Sequence, residues 1–488
     1  MSSLKSKSLK GVSWSFIDNF VGSGISFIIG IVLARILSPA NFGLIGMVTM
    51  IFAFANTFID SGFSDGLIRR IECKQEEFST IFIFNIGVSL TLYLIIYLSA
   101  PFLAEFFREQ QLVRLLRVLG IILIIDSLSL VQRVILIRNI NFKLQAKISL
   151  SANSISGLVG ISLAYLDFGV WSLVFQITIR QTLNSLLLWM FSQWRPTLIF
   201  SVAAFKELFG FSSKLLGTGL LNTLQNNIYY LVIGRFFSAT SLGYYTRAEQ
   251  FNAILTGNLN GSLQRVFLPV FASIQDDQIR LRATLKKVIT SSFFITFLFS
   301  IAMVAVAKPL ILILIGPKWQ TSILYLQLLA IGSIFFPLST LNFNMLKIRK
   351  RSDLILRLQL IKVLLTAILI LVGIWKGIAF MLVVRIFTNF VETYLNSMYS
   401  GNFFNYSLKD QLKDISPYVF SILLIGLAMF SLNLTTLAPW AMISLQFIIG
   451  LVLFFLIFER KQFAEYMEIK KMIFELLSTA SPLASKRL

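Results

Sequence analysis

The chain has 488 residues, 56% of them hydrophobic, only 13% charged, with a mean hydropathy of +0.80. A soluble protein of this length could not hide so much apolar surface, which excludes a globular enzyme and identifies an integral membrane protein. No histidine and one cysteine, Cys73, exclude imidazole catalysis or proton relays, an internal disulfide and a thiolate metal cluster.

In chain order, the basic start Met1–Lys10 leads into an apolar stretch far longer than a signal-peptide core, without a small-residue cleavage site. It reads as a retained first helix. About fourteen segments then have the length and apolarity of a helical membrane span. Their limits are 12–37, 42–60, 79–104, 112–137, 147–166, 169–191 and 207–233, then 241–265, 287–315, 321–346, 354–375, 377–399, 415–434 and 438–458. Turn chemistry marks the breaks at Ser38-Pro39, Asp167-Phe-Gly169, Gly316-Pro317 and Ala438-Pro439. The fold class is therefore all-α and polytopic. The fourth segment carries Arg114, Arg117 and Arg133, and the eighth is unusually polar.

The net charge of +21 resembles that of a nucleic-acid binder, but its distribution does not. With the N-terminus in the cytoplasm, even-numbered loops collect most of the bases. Arg69-Arg70 with Lys74, then Arg138, Lys143 and Lys147, then Arg280, Arg282, Lys286 and Lys287, then Lys347 to Arg351 all fall on that side. This is the positive-inside bias, and it places both termini in the cytoplasm. No nucleic-acid partner is expected.

The chain also repeats itself. Arg35-Ile-Leu-Ser38-Pro-Ala-Asn-Phe-Gly43 is echoed two hundred residues later by Arg235-Phe-Phe-Ser238-Ala-Thr-Ser-Leu-Gly243. Asp60-Ser-Gly62 is echoed by Asn260-Gly-Ser262 at the same offset. A duplicated hydrophobic unit with both copies in one orientation points to a two-lobed carrier with its path between the lobes. The expected division is a six-helix lobe over 1–200, a second over 201–405, and two extra helices with a basic tail over 406–488.

Polar residues inside the spans mark candidate contacts. In the first span Ser15, Asp18, Gly22, Ser26 and Gly30 share one helical face, and in the seventh Thr218, Asn222, Asn226 and Tyr230 do, with Lys214 one turn earlier. Lipid cannot satisfy such a stripe, so it faces protein or water. Small-residue helix packing accounts for Gly22, Ser26 and Gly30, but not for Asp18, Lys214 or the run Asn222, Gln225, Asn226 and Asn227. Further embedded charges include Asp126, Arg133, Arg180, Arg247, Glu249, Lys362, Arg385 and Glu392. A charge at mid-membrane costs about 2.5–3.5 kcal/mol on insertion scales, so each requires a partner, an interface or a cargo. Bases exceed acids in the set, which suits an anionic cargo such as a diphosphate or an acidic sugar. The cleft residues singled out are Asp18, Arg180, Lys214, Asn222, Gln225, Asn226, Tyr230, Arg247 and Glu249. No Gly-rich phosphate loop ending in Lys-Ser/Thr occurs, so nucleotide hydrolysis, cofactors and catalysis are not expected.

Three stretches carry a family resemblance: Lys10-Gly-Val-Ser-Trp14, Ala34-Arg-Ile-Leu-Ser-Pro-Ala-Asn-Phe-Gly43, and Phe58-Ile-Asp-Ser-Gly-Phe63 with Leu67-Ile-Arg-Arg70. Together they resemble the polysaccharide transporter family, the Wzx-type flippases of the multidrug/oligosaccharidyl-lipid/polysaccharide exporter superfamily. The resemblance implies fourteen helices in two bundles. It also implies alternating access that moves an undecaprenyl-diphosphate-linked oligosaccharide across the bacterial inner membrane, for exopolysaccharide, capsule or O-antigen export. Expected partners are that lipid-linked sugar, the bilayer, and the polymerase and export machinery. A cation-coupled multidrug antiporter of the same fold is the alternative, and it expects embedded carboxylates to dominate. A membrane polymerase or ligase is a third reading, and it expects a large outward loop.

Overall fold

The computed structural model describes residues 2–60, 63–70, 73–274, 277–348, 352–463, 465–467 and 470–471; within these, the side chains of residues 2–13, 15–17, 19, 65, 69, 208, 211–215, 255–270, 272, 352 and 402 lie outside the description. The described chain is helical nearly throughout. The segments expected to span fall on helices, the fourth and the tenth each on two helices in succession. Among the described residues nine helices are long and apolar enough to cross a membrane, or ten when a pair bent by 41° counts as one span.

By backbone packing the chain divides into two compact units. The first comprises 1–247 with 366–378, and the second 248–365 with 379–488. In the first, α1 (Ser2–Ile36) lies along α7 (Phe142–Tyr165), and α7 along α8 (Val170–Phe191). The helix α4 (Gln75–Phe107) packs on α5 (Gln111–Leu119) and α6 (Ile121–Arg138), while α2 (Pro39–Asp60) packs on α9 (Val202–Phe236). The short α3 (Phe63–Arg69) sits against α6 and α9. The fourth expected span is thus α5 followed by α6. Its arginine-bearing first turns form an amphipathic helix, with Leu112, Leu115, Leu116 and Leu119 buried and Arg114 exposed.

Helix ends follow local chemistry. Pro39 and Pro439 occupy first helical turns, where a missing N–H costs nothing. The Ser201 hydroxyl accepts from Ala204 N–H to start α9. Gly169 ends the α7–α8 turn at φ 55°, a conformation that disfavours any side chain. On the end that carries the basic loops, the Arg138 guanidinium donates to the Arg70 carbonyl at 2.7 Å and also to Leu67, which ties α3 down.

The second unit is built around α11 (Gln278–Leu314). Against it pack α12 (Thr321–Ser333), α13 (Phe336–Ile348), α16 (Leu408–Ser431) and α17 (Pro439–Lys461). The unit also holds the start of α14 (Ser352–Lys376), α15 (Ile378–Phe404) and most of α10 (Ala239–Ser273). The last two helices are not loose additions. Gln446 on α17 donates to the carbonyls of Ala305 and Met429, each at 3.1 Å, and Phe294, Tyr418 and Phe458 pack edge to face. Asn342 and Gln411 exchange amide hydrogen bonds of 2.9 and 3.1 Å, which lock α16 to α13. In a bilayer such interhelical amide hydrogen bonds hold helices together, whereas the outward Phe420, Leu427 and Phe447 suit lipid.

Candidate functional site

Along the first unit, α2 and α9 run antiparallel and touch at small residues. At one end Gly219 leaves room for Thr57, whose methyl would lie 3.2 Å from an added Cβ. Thr57 Oγ1 lies 2.8 Å from Thr223 Oγ1, and Asn227 donates to the Thr223 carbonyl at 2.8 Å. Midway, Gly234 admits Met47 and Phe107. At the far end the two repeat junctions meet each other. A Cβ on Gly43 would overlap the carbonyl of Ala239, and a Cβ on Gly243 would overlap the carbonyl of Pro39. The contact is reciprocal at the repeat's own offset, so the duplicated motif forms a local two-fold seam in which only glycine fits.

Beside the Thr57–Thr223 end lies a cavity of about 710 Å³. Helical spacing builds its walls: Asn56 and Asp60 on α2, Asp126, Leu130, Arg133 and Ile137 on α6, and Thr218, Asn222 and Thr223 on α9, with Ser64 from α3. Within it Arg133 pairs with Asp126 at 2.7 Å across two turns of α6, and Gln181 of α8 donates to the same carboxylate oxygen. Both charges keep part of their surface open, so the pair is held in place and still faces the cavity. A chamber with one guanidinium, two carboxylates, amides and hydroxyls, walled by apolar helices, can hold a polar, hydroxyl-rich group by hydrogen bonds, with Arg133 as its one cationic donor.

The sequence-derived residues separate into several environments. Asn222 lines this cavity, and Asn226 is exposed one turn on. Gln225 is half-buried, and Tyr230 meets the Tyr245 ring edge to face at 5.4 Å. Arg247 is 8% exposed, with its guanidinium 3.7 Å over the Phe42 ring, beside the glycine seam. Arg180 is exposed on α8, and the Lys214 side chain is outside the described residues. Asp18 is half-buried on α1 and bonds Ser149 of α7. Nearby, the Asn153 amide donates to Gly22 carbonyl at 3.2 Å and to Ser26 Oγ at 2.8 Å. The stripe on the first helix is therefore met by α7. In the second unit Glu249 accepts from both terminal nitrogens of Arg385 at 3.3 Å, and Lys362 pairs with Glu392 at 2.8 Å.

Thr57, Asn56 and Thr223 were not singled out from the sequence, because isolated hydroxyls and amides in apolar helices carry no periodic signal. Asp126 and Arg133 had such a signal: opposite charges seven residues apart on one helical face.

The family model described as "Polysaccharide biosynthesis protein" matches residues 32–324. The chain is 27% identical to the teichuronic acid biosynthesis protein TuaB of Bacillus subtilis, over 72% of this chain and 74% of that one. It is 26% identical to the lipopolysaccharide biosynthesis protein WzxC of Escherichia coli over 76% of each, and 26% identical to the succinoglycan biosynthesis transport protein ExoT of Rhizobium meliloti over 68% and 67%. In three dimensions it is similar to the lipid II flippase MurJ in an inward closed conformation, with a TM-score of 0.74 at 14% identity, covering 93% of this chain and all of that one. An inward-facing multidrug resistance MATE family transporter gives 0.61 at 16% identity, over 80% and 98%.

Proposed function

The chain belongs to the polysaccharide biosynthesis protein family, and we propose that it flips a polyprenyl-diphosphate-linked oligosaccharide from the cytoplasmic to the outer leaflet of a bacterial inner membrane. It is a multi-pass transporter, not an enzyme, and its fold is that of flippases and multidrug exporters. The observation that carries the reading is the cavity of α2, α6 and α9, where an ionised pair and a polar wall sit within a membrane bundle. Arg133 meets the anionic diphosphate, while Asn222, Thr218 and Asn56 bond sugar hydroxyls. Asn226, Gln225 and Lys214 extend the same face of α9, and Asp18, Arg180, Tyr230, Arg247 and Glu249 are the further positions at which substitution should alter transport.

Both termini are cytoplasmic in this scheme, and fourteen spans form lobes over 1–200 and 201–405 with two further helices beyond. Alternating access then opens and closes the α2–α9 contact at its two ends in turn. The glycine seam is the tighter of its two ends, where backbone meets backbone.

Deleting the gene tests the reading. Lipid-linked oligosaccharide should accumulate on the cytoplasmic face and polymer export should cease. Unchanged export together with altered drug tolerance would instead establish the multidrug antiporter. In that second reading the coupling cation would use Asp60, since the other cavity carboxylate, Asp126, is engaged by Arg133 and Gln181.

A further inference from the structure

A second and larger cleft, of about 1300 Å³, opens at the other end of the first unit. It lies where α4 turns into α5, α7 turns into α8, and α2 begins, at the end opposite the basic α2–α4 and α6–α7 connections. The positive-inside rule therefore assigns it to the outer face, where arginines are not needed for topology. Yet Arg108, Arg114 and Arg117 all line it.

Local structure aims these groups. Arg108 adopts the left-handed conformation at the end of α4, with φ 57°, and its side chain is exposed. The leucines of α5 are buried, which turns Arg114 outward, while Arg117 lies 4.5 Å over the Tyr97 ring. None of the three arginines forms an ion pair among the described residues. One of the two lining carboxylates is occupied elsewhere: Glu109 accepts from the Ala239 N–H at the start of α10. The cleft is cationic on balance. Its remaining wall supplies Gln110, Gln111 and Asn41 for hydrogen bonding and the indole of Trp171 as a flat apolar plate.

We propose that this cleft is an outer-face binding site for an acidic saccharide. Arg108 and Arg114 take sugar carboxylates, the amides take hydroxyls, and Trp171 stacks on a pyranose face. A lipid phosphate shares the anionic chemistry but uses neither the plate nor the amides, and the volume exceeds what a head group fills. That the saccharide is the cargo just delivered to this face rests on the flippase reading. The binding itself does not depend on transport.

The test uses the full-length protein in phosphatidylcholine nanodiscs, titrated calorimetrically with a glucuronic-acid oligosaccharide, a dextran oligosaccharide of equal length, and glycerol phosphate. The acidic oligosaccharide should bind at least tenfold more tightly than either of the others. The Arg108→Ala/Arg114→Ala protein should lose at least tenfold of that affinity, and Trp171→Leu at least threefold. Lys318→Ala, a loop base of the other unit, should lose nothing. Arg108→Lys/Arg114→Lys keeps the charge if the alanine protein fails to fold, and it should bind more weakly than wild type because the bidentate fork is gone. Equal affinity of wild type and the arginine variants, no binding of the acidic oligosaccharide, or tighter binding of glycerol phosphate would each overturn the proposal. Saccharide binding that persists while a deletion strain exports normally would instead overturn the flippase reading and leave this site standing.

Discussion

The first helix and its repeat partner, α1 and α9, carry similar polar stripes before nearly the same Arg-x-x-Ser…Gly junction, yet their environments differ. On α1 the stripe is met by α7, where Asn153 and Ser149 bond Gly22, Ser26 and Asp18. On α9 Thr223 meets Thr57 of α2, and Asn222 lines a cavity with the Asp126–Arg133 pair. The junctions behave oppositely to the stripes. Their glycines are used in the same way, each receiving the other copy's backbone. The two copies of the junction make the same backbone contact, while the helical faces before them differ, one packed on α7 and one bordering a polar cavity.

Breaking the seam gives the largest expected effect. Gly43→Ala and Gly243→Ala should each lower polymer export by more than tenfold at normal membrane abundance, since each added methyl meets main chain rather than a side chain that can move. Because both substitutions wedge one contact, the double variant should be little worse than either alone. Additive losses, measured as export per membrane-inserted protein, would show that the glycines act separately.

The next contrast concerns the chamber. Arg133→Gln should cut export about tenfold, corresponding to about 1.4 kcal/mol, by leaving Asp126 charged and without its cation. Arg133→Lys should retain part of the activity. Normal export by Arg133→Gln would remove the anion-contact role from this pair.

Thiol accessibility sharpens the comparison of faces. In a Cys73→Ser background, cysteine at Asn222 or Asn226 should react with a small water-soluble reagent at least tenfold faster than cysteine at buried Ile228 or Val232. Cysteine at Gly22, on the α1 stripe covered by α7, should react slowly. Equal rates at Gly22 and Asn222 would erase the distinction drawn between the helices.

A smaller effect is expected from the packed stripe. Asn153→Ala should cost about 0.6 kcal/mol, the average for interhelical polar contacts in membranes, and leave export near normal. Thermal unfolding in detergent measures the first part and polymer yield the second.

The smallest effect is a pH dependence at the seam. Burial pushes the Glu109 carboxyl above its ordinary range, and the Ala239 N–H, which favours the carboxylate, offsets this only in part. The folded protein therefore holds this proton longer than the unfolded chain does. Its contribution is fully present below the ordinary glutamate pKa and is lost as pH rises through the raised value. Glu109→Gln should flatten that decline in a thermal-unfolding series across mildly acidic pH. An unchanged slope would assign the decline to other groups.

Much of this architecture was legible in the residues. Apolar length located the helices, because each crossing must satisfy its backbone within the segment. Gly, Pro and Asp-Phe-Gly turns located the breaks, and the constant offset between Ser38–Gly43 and Ser238–Gly243 located the two junctions. Composition alone established a polytopic membrane protein, and the opening motifs pointed to its family. What the sequence left open was which polar face meets which neighbour. Gly22 and Asn222 hold equivalent places at the repeat offset, but one meets Asn153 of α7 and the other lines a cavity, since which distant helix comes alongside is not encoded in the register of a single helix. The reciprocal seating of Gly43 and Gly243 was equally invisible, because close approach of two backbones is a property of packing. Only the tertiary structure joined Arg133, Asn56 and Asn222 in one chamber and gathered Arg108, Arg114 and Trp171 around another. Both depend on contacts between helices far apart in the chain, which periodicity within a single helix cannot encode.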